Sequence, residues 1–180
     1  PGSTEGVIRE TLEQSSGKTS AVHFGLCYAP AFVALGNVVQ NFLQPDYLLI
    51  GESDSKAGEE LETLYRTICQ ANPPVARMNF INAELVKLAN NAFVSTKITF
   101  GNMLAHICGR LPGAHVDTVT SALGLDSRIG IKFLKGGIGY GGPCLDRDNI
   151  ALAAMAQNIG YKAQLAEATD EANRQEVTKL

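Results

Sequence analysis

The sequence predicts an α/β segment over residues 1–80 followed by an all-α domain over residues 81–180 built on one long helix. Three observations carry this reading. Before residue 80, short buried-type apolar runs alternate with helical stretches, the pattern of a sheet flanked by helices. After it the apolar spacing is almost wholly helical, and no proline interrupts residues 82–108, about 27 residues or seven turns. A length of 180 residues with 45% apolar side chains supports a real core, in one domain or two small ones.

The elements follow in order. Glu5 to Glu13 reads as the first helix. Ala21-Val22-His23-Phe24-Gly25-Leu26-Cys27 and Tyr47-Leu48-Leu49-Ile50 read as short buried strands, and Gly51-Glu52-Ser53-Asp54 as the turn after the second. Lys56 to Gln70 is helical again until Asn72-Pro73-Pro74 breaks it, and a further short strand is expected from Ala76 to Ile81. Asn82 is the expected N-cap of the long helix, with Glu84 in its first turn, and the helix runs to about Cys108. Shorter helices are expected over His115 to Leu123, Asp146 to Asn158 and Gln164 to Leu180, with Gly113, Gly124, Gly130 and Gly160 marking their ends.

Composition excludes several classes. A net charge of -3 and a pI near 5.6, with Lys and Arg scattered singly, leave no basic stripe for nucleic acid. Cys27, Cys69, Cys108 and Cys144 show no metal-ligand spacing, and His23, His106 and His115 supply no second half of such a site. A reducing, cytoplasmic compartment without structural metal is expected, with the first three cysteines in the core. No apolar run approaches the ~18 residues of a membrane span, and no signal peptide opens the chain. Pro1 in place of an initiator methionine reads as a piece of something larger.

The most informative stretch runs from Gly136 to Asp148, because it delivers Cys144 from a glycine-rich loop into a helix start. Unpaired N–H groups there, with the nearby Arg147 cation, favour thiolate over thiol. A small buried cysteine after a flexible turn fits the same residues. Gly137-Ile138-Gly139-Tyr140-Gly141-Gly142 also satisfies the letter of GxGxxG, with Glu167 about 20 residues on, so an independent dinucleotide-binding loop is a further reading. Against it, Ala163 to Ala168 is alanine-rich without a β-branched residue, and Pro143 with Asp146, Arg147 and Asp148 suits a pyrophosphate-packing helix poorly.

On the long helix, Lys87, Asn91, Ser95 and Asn102 recur along one face. Leu85, Leu88, Ala92, Phe93 and Leu104 fall largely elsewhere and are expected to supply buried contacts. A solvated face accounts for such a stripe. Two asparagines, poor helix formers, point instead to directed hydrogen bonding.

Four segments resemble successive signatures of the UDP-glucose/GDP-mannose dehydrogenases, in matching order and spacing. They are Glu84-Leu85-Val86-Lys87-Leu88-Ala89-Asn90-Asn91-Ala92-Phe93, Leu125-Asp126-Ser127-Arg128-Ile129-Gly130, Phe133-Leu134-Lys135, and Gly139 to Asp148. Pro1-Gly2-Ser3-Thr4-Glu5 resembles the end of a turn in the family's cofactor domain, and Gln164 to Leu180 the helix before its last domain. The resemblance implies that residues 1–80 are the tail of a Rossmann-like NAD domain and that 81–180 form the central dimerisation domain. It further implies oxidation of a nucleotide-sugar primary alcohol to a carboxylate with two NAD molecules. Cys144 matches the nucleophile that forms a thiohemiacetal and then a thioester. Lys87 and Asn91 match oxyanion and substrate-holding positions, and Asp148 the carboxylate of water and proton transfer. Lys135 resembles a nucleotide-sugar contact, and Arg128 an arginine reaching a neighbouring subunit's site; Phe133, Tyr140 and Gly141 are further substrate-binding candidates. A homodimer through the long helix is the implied assembly.

Two departures accompany the likeness. Where the family carries Asn-Pro-Glu-Phe-Leu-x-Glu-Gly, this chain reads Ala29-Pro30-Ala31-Phe32-Val33-Ala34-Leu35-Gly36, so both carboxylates are replaced, at Ala31 and Leu35. The NAD fingerprint and the sugar-nucleotide domain are not in these residues, which reads as the middle of the enzyme. The 180-residue chain alone is therefore expected to be inactive. A non-catalytic helical dimerisation module is the alternative.

Overall fold

The computed structural model describes residues 1–178 and divides into two compact units, Pro1–Lys87 and Leu88 onward. In the first unit a short π-helical turn, Thr4–Ile8, leads into α1 (Arg9–Ser16). Then come β1 (Cys27–Tyr28), α2 (Val38–Leu43), β2 (Leu48–Glu52), α3 (Ser55–Ile68) and β3 (Val75–Met78). The long helix α4 (Phe80–Cys108) begins here and continues into the second unit, which holds α5 (Val116–Leu123), α6 (Leu145–Asn158) and α7 (Gln164–Val177). The three-stranded sheet and the helical sequel match the predicted fold class.

The sheet has the order β1-β2-β3, with β2 parallel to β3 and antiparallel to β1. Leu48, Leu49 and Ile50 are all buried, so the central strand is covered on both faces and reads as a continuous apolar run. Asp54 caps α3, its carboxylate accepting from the Ala57 amide at 3.0 Å. That bond, with the Ser53 hydroxyl, holds Asp54 below the usual carboxylate range. Arg77 of β3 donates to Glu52 at 2.8 Å and to the Ser55 carbonyl at 2.6 Å, tying β3 to β2 and to the start of α3.

Several expectations need correction. The strand foreseen from Ala21 shrinks to Cys27–Tyr28, because Ala21 to His23 form a turn with Ala21 at φ 62° and the His23 amide bonded to the Thr19 carbonyl. Gly51 and Glu52 belong to β2 rather than to a turn, paired with Tyr28 and Cys27. The third strand is shifted to Val75–Met78, and Phe80 and Ile81 are already helical. Asn79 caps α4 in place of Asn82: its Oδ1 accepts from the Asn82 amide at 3.0 Å. The short helix α2 was not foreseen. Cys27 and Cys69 are half-buried rather than core residues, whereas Cys108 is buried. The last helix is described to Val177; positions 179 and 180 of the expected span lie outside the described residues.

The polar stripe of α4 is not a solvated face. Ser95 and Asn102 are fully buried. Phe93, expected in the core, is 65% exposed. The second unit packs its polar residues inward, with Asp148 and Asn149 of α6 and Thr169 and Asn173 of α7 all buried. Among the described residues no helix is long and apolar enough to cross a membrane.

Candidate active site

Cys144 sits at the N-cap of α6, exposed and with a free thiol, directly after the exposed Gly141, Gly142 and Pro143. Its carbonyl accepts from the Asp148 amide at 3.0 Å, closing the first turn. The Asp148 carboxylate is only 2% exposed, and both its oxygens are engaged: Asn91 Nδ2 donates at 2.6 Å and Arg147 Nε at 2.8 Å. A buried carboxylate with two donors stays a fixed acceptor rather than a mobile one. The Arg147 guanidinium, three residues past Cys144, donates to Asp148. Helix periodicity explains the meeting of Asn91 and Asp148, since Asp148 lies one turn into α6 and faces inward toward α4.

Beside this pair, Asn149 Nδ2 donates to Ser95 Oγ at 2.7 Å and to the Tyr140 hydroxyl at 3.2 Å, so Ser95 of the stripe is paired as well. Tyr140 is buried, and burial raises its phenol above the ordinary value. It is thus a wall of the loop rather than an open surface. Asn149 and Asn173 were missed at the sequence level; the argument that singled out Asn91, an asparagine inside a helix, applies equally to both.

In the first unit, Lys87 Nζ donates to the Ala31 carbonyl at 2.7 Å and lies 4.5 Å from the centroid of the Phe32 ring. The segment that lost its carboxylates therefore still meets the lysine, through backbone and ring. Leu35 is 92% exposed. Glu84, also missed as a site element, is buried and accepts from the Thr4 amide at 2.8 Å, from Thr4 Oγ1 at 2.5 Å and from the Gly2 amide. Burial pushes its carboxyl up, but the Thr4 hydroxyl and the Thr4 and Gly2 amides outweigh this and hold it below the usual range.

The remaining candidates lie on exposed loops of the second unit. Arg128 is bound within its own turn, Nε and Nη2 both donating to Asp126. Lys97 secures that turn, donating to the Ile129 carbonyl at 2.9 Å. Phe133 is 52% exposed and adopts φ 66°, a left-handed conformation rare for an aromatic residue. Lys135 is exposed. The loop at Leu134 packs straight onto α4 because Gly101 has no side chain; a Cβ there would stand 2.7 Å from the Leu134 carbonyl oxygen.

The glycine run lacks the setting of a dinucleotide fingerprint. No strand leads directly into Gly137, and a Cβ on Gly139 would stand 2.6 Å from Asn173 Oδ1, so the run is packed against α7 rather than open to a pyrophosphate. At the β2–α3 turn of the first unit, the Asp54 carboxylate already occupies the helix N-terminus. Among the described residues no group of three His, Cys, Asp or Glu could hold a metal ion.

Residues 81–175 match the central domain of the UDP-glucose/GDP-mannose dehydrogenase family, and residues 1–69 match that family's NAD binding domain. UDP-glucose 6-dehydrogenase AglM of Haloferax volcanii is 37% identical over 175 residues, which cover 96% of this chain and 40% of the relative. The structure of a UDP-glucose dehydrogenase from Pyrobaculum islandicum superposes with a TM-score of 0.89 at 31% identity, covering 97% of this chain and 39% of the other. That of a UDP-D-ManNAc dehydrogenase from Pyrococcus horikoshii gives 0.83 at 27%, covering 98% and 40%. The chain thus spans about two fifths of the length of these relatives.

Proposed function

Because the chain belongs to the UDP-glucose/GDP-mannose dehydrogenase family, we propose that it carries the thiol chemistry of a nucleotide-sugar 6-dehydrogenase, with Cys144 as nucleophile. One observation carries the reading: an exposed cysteine follows a glycine run at a helix start, one turn from a buried carboxylate held by an asparagine. Oxidation of the alcohol to the acid removes two hydrides, which in this family is the chemistry supplied by two NAD molecules. The thiolate of Cys144 adds to the aldehyde carbon, and the carbonyl oxygen takes a proton to give the thiohemiacetal. Loss of the second hydride from that carbon, with the hydroxyl proton released to solvent, leaves a thioester. Water then attacks the acyl carbon, the C–S bond breaks, and the acid and the free thiol are released.

The other motif residues are proposed to divide these demands. The Lys87 cation stabilises oxyanions, Asn91 holds substrate and orients Asp148, and Asp148 accepts the proton of the attacking water. Lys135, Arg128, Phe133, Tyr140 and Gly141 are proposed contacts to the nucleotide sugar, Tyr140 by shaping the loop from inside. With alanine and leucine at positions 31 and 35, thioester hydrolysis falls to Asp148.

The proposed assembly is a homodimer through α4. Phe100, Met103 and Ile107 of α4 and Leu165 of α7 line a groove of about 590 Å³ with His106 and Glu176 at its side, and apolar residues of a long helix left this exposed call for a partner surface. A dimerisation module without turnover is the second reading, favoured by the missing carboxylates. Brief iodoacetamide treatment with mass-spectrometric mapping distinguishes the two: Cys144 should label ahead of Cys27, Cys69 and Cys108. Labelling of Cys144 no faster than the half-buried Cys27 and Cys69 would sink the thiol reading and leave the module.

A further inference from the structure

The run from Gly136 to Gly142 has no regular secondary structure, yet two buried asparagines from different helices grip its backbone. Asn102 of α4, 1% exposed, accepts from the Gly137 amide at 2.8 Å and turns its Nδ2 toward the Ile138 carbonyl at 3.5 Å. Asn173 of α7, 4% exposed, donates to the Tyr140 carbonyl at 2.9 Å and points the same nitrogen toward Asp146 Oδ1 at 3.5 Å. A carboxamide presents a donor beside an acceptor, the complement of a peptide group; Asn102 uses both ends, whereas Asn173 uses its nitrogen alone and its buried Oδ1 finds no hydrogen-bond partner. Gly139 lies between the two grips, and only the absence of its Cβ lets Asn173 come so close.

We propose that Asn102 and Asn173 are positioning residues for the Cys144 thiol, holding the stretch from Gly137 to Tyr140 on one path so that the four residues after it deliver the sulfur to one place. This rests on the reading of Cys144 as the reacting group. Neither asparagine is bonded to the sulfur; both act through main-chain groups. A run with five glycines in seven residues would otherwise spread Cys144 over many positions. Asn173 acts closer to the thiol, because it meets Tyr140 before Cys144 and Asp146 after it.

The test combines amide hydrogen exchange with timed iodoacetamide labelling on the 180-residue chain. In Asn102→Leu, exchange of the Gly137 amide is expected to rise at least tenfold while the α4 amides around Ser95 change less than threefold, and the Cys144 labelling rate shifts at least threefold. Asn173→Leu should shift that rate further. Gly139→Ala leaves both asparagines in place and drives a methyl group against Asn173; it is expected to change Cys144 labelling with Gly137 protection retained, and it serves if the leucine variants do not fold. An unprotected Gly137 amide in the unaltered chain overturns the proposal. So does Gly137 exchange that rises only in step with α4, or Cys144 labelling unchanged in the variants. Gly137 exchange reads the grip itself, so slow Cys144 labelling in the unaltered chain would remove the thiol reading separately.

Discussion

Replacing Glu84 by glutamine removes one charge from the first unit and changes almost nothing in shape, which makes its consequences calculable. The carboxylate takes three bonds: the Thr4 amide and hydroxyl on Oε1, and the Gly2 amide on Oε2. Glutamine keeps an oxygen for Thr4 but sets an NH2 group against the Gly2 N–H, so one donor faces another. Weakened charge-assisted bonds and one buried unsatisfied donor together cost about 3 kcal/mol, and for a chain of this length that lowers Tm by roughly 6–12 °C. The pH dependence follows from the direction of the shift. The folded carboxyl titrates below its ordinary value, so its stabilisation is complete above the unfolded value of about 4.3 and is lost as pH falls through the folded one. Below that range Glu84 is protonated and resembles the glutamine. Calorimetric melting of both chains at neutral and acid pH is the assay: the gap in Tm should be wide at pH 7 and should close toward pH 3. A gap under 2 °C at pH 7, or one equally wide at both, would refute the reasoning.

Other outcomes can be checked independently. Asn91→Leu deprives the buried Asp148 of its 2.6 Å donor and should cost about 1–3 kcal/mol, read by urea denaturation as a lower midpoint with an unchanged slope. Cys144→Ser should leave the melting curve within about 2 °C, because surface substitutions usually stay within ±0.5 kcal/mol. Sedimentation at micromolar concentration should show a dimer, and Phe100→Asp, on the α4 groove, should shift it to monomer without unfolding. Calorimetric titration should detect no NAD binding that depends on the glycine run, so Gly139→Val leaves the NAD titration unchanged.

Legibility from sequence followed the strength of local signals. The span of α4 was readable because no proline interrupts it, and Leu48 to Ile50 because a run buried on both faces is apolar throughout. The shortening of β1 was not readable, since nothing in Ala21-Val22-His23 announces a left-handed Ala21. At the site, motif spacing singled out Cys144, Asn91 and Asp148, and the structure brings the latter two together. It could not show that Arg147 turns to Asp148, or that Asn173, from a helix far along the chain, holds Tyr140. Such contacts join residues whose separation carries no period.

The seam between α4, α6 and α7 is polar where most helix packings are greasy, and this governs sliding. Apolar ridges tolerate a neighbour displaced along the axis, since one methyl group is much like another. Here a slip of α6 by one turn, about 5.4 Å, would break the bond from Asn149 to Ser95 and that from Asn91 to Asp148 at once, leaving Ser95, Asp148 and Asn149 only the bonds they make within their own helices. The seam works as a vernier: two matched marks a residue apart admit one alignment of the helices, and the alignment they admit is the one that sets Cys144 at the mouth of α6.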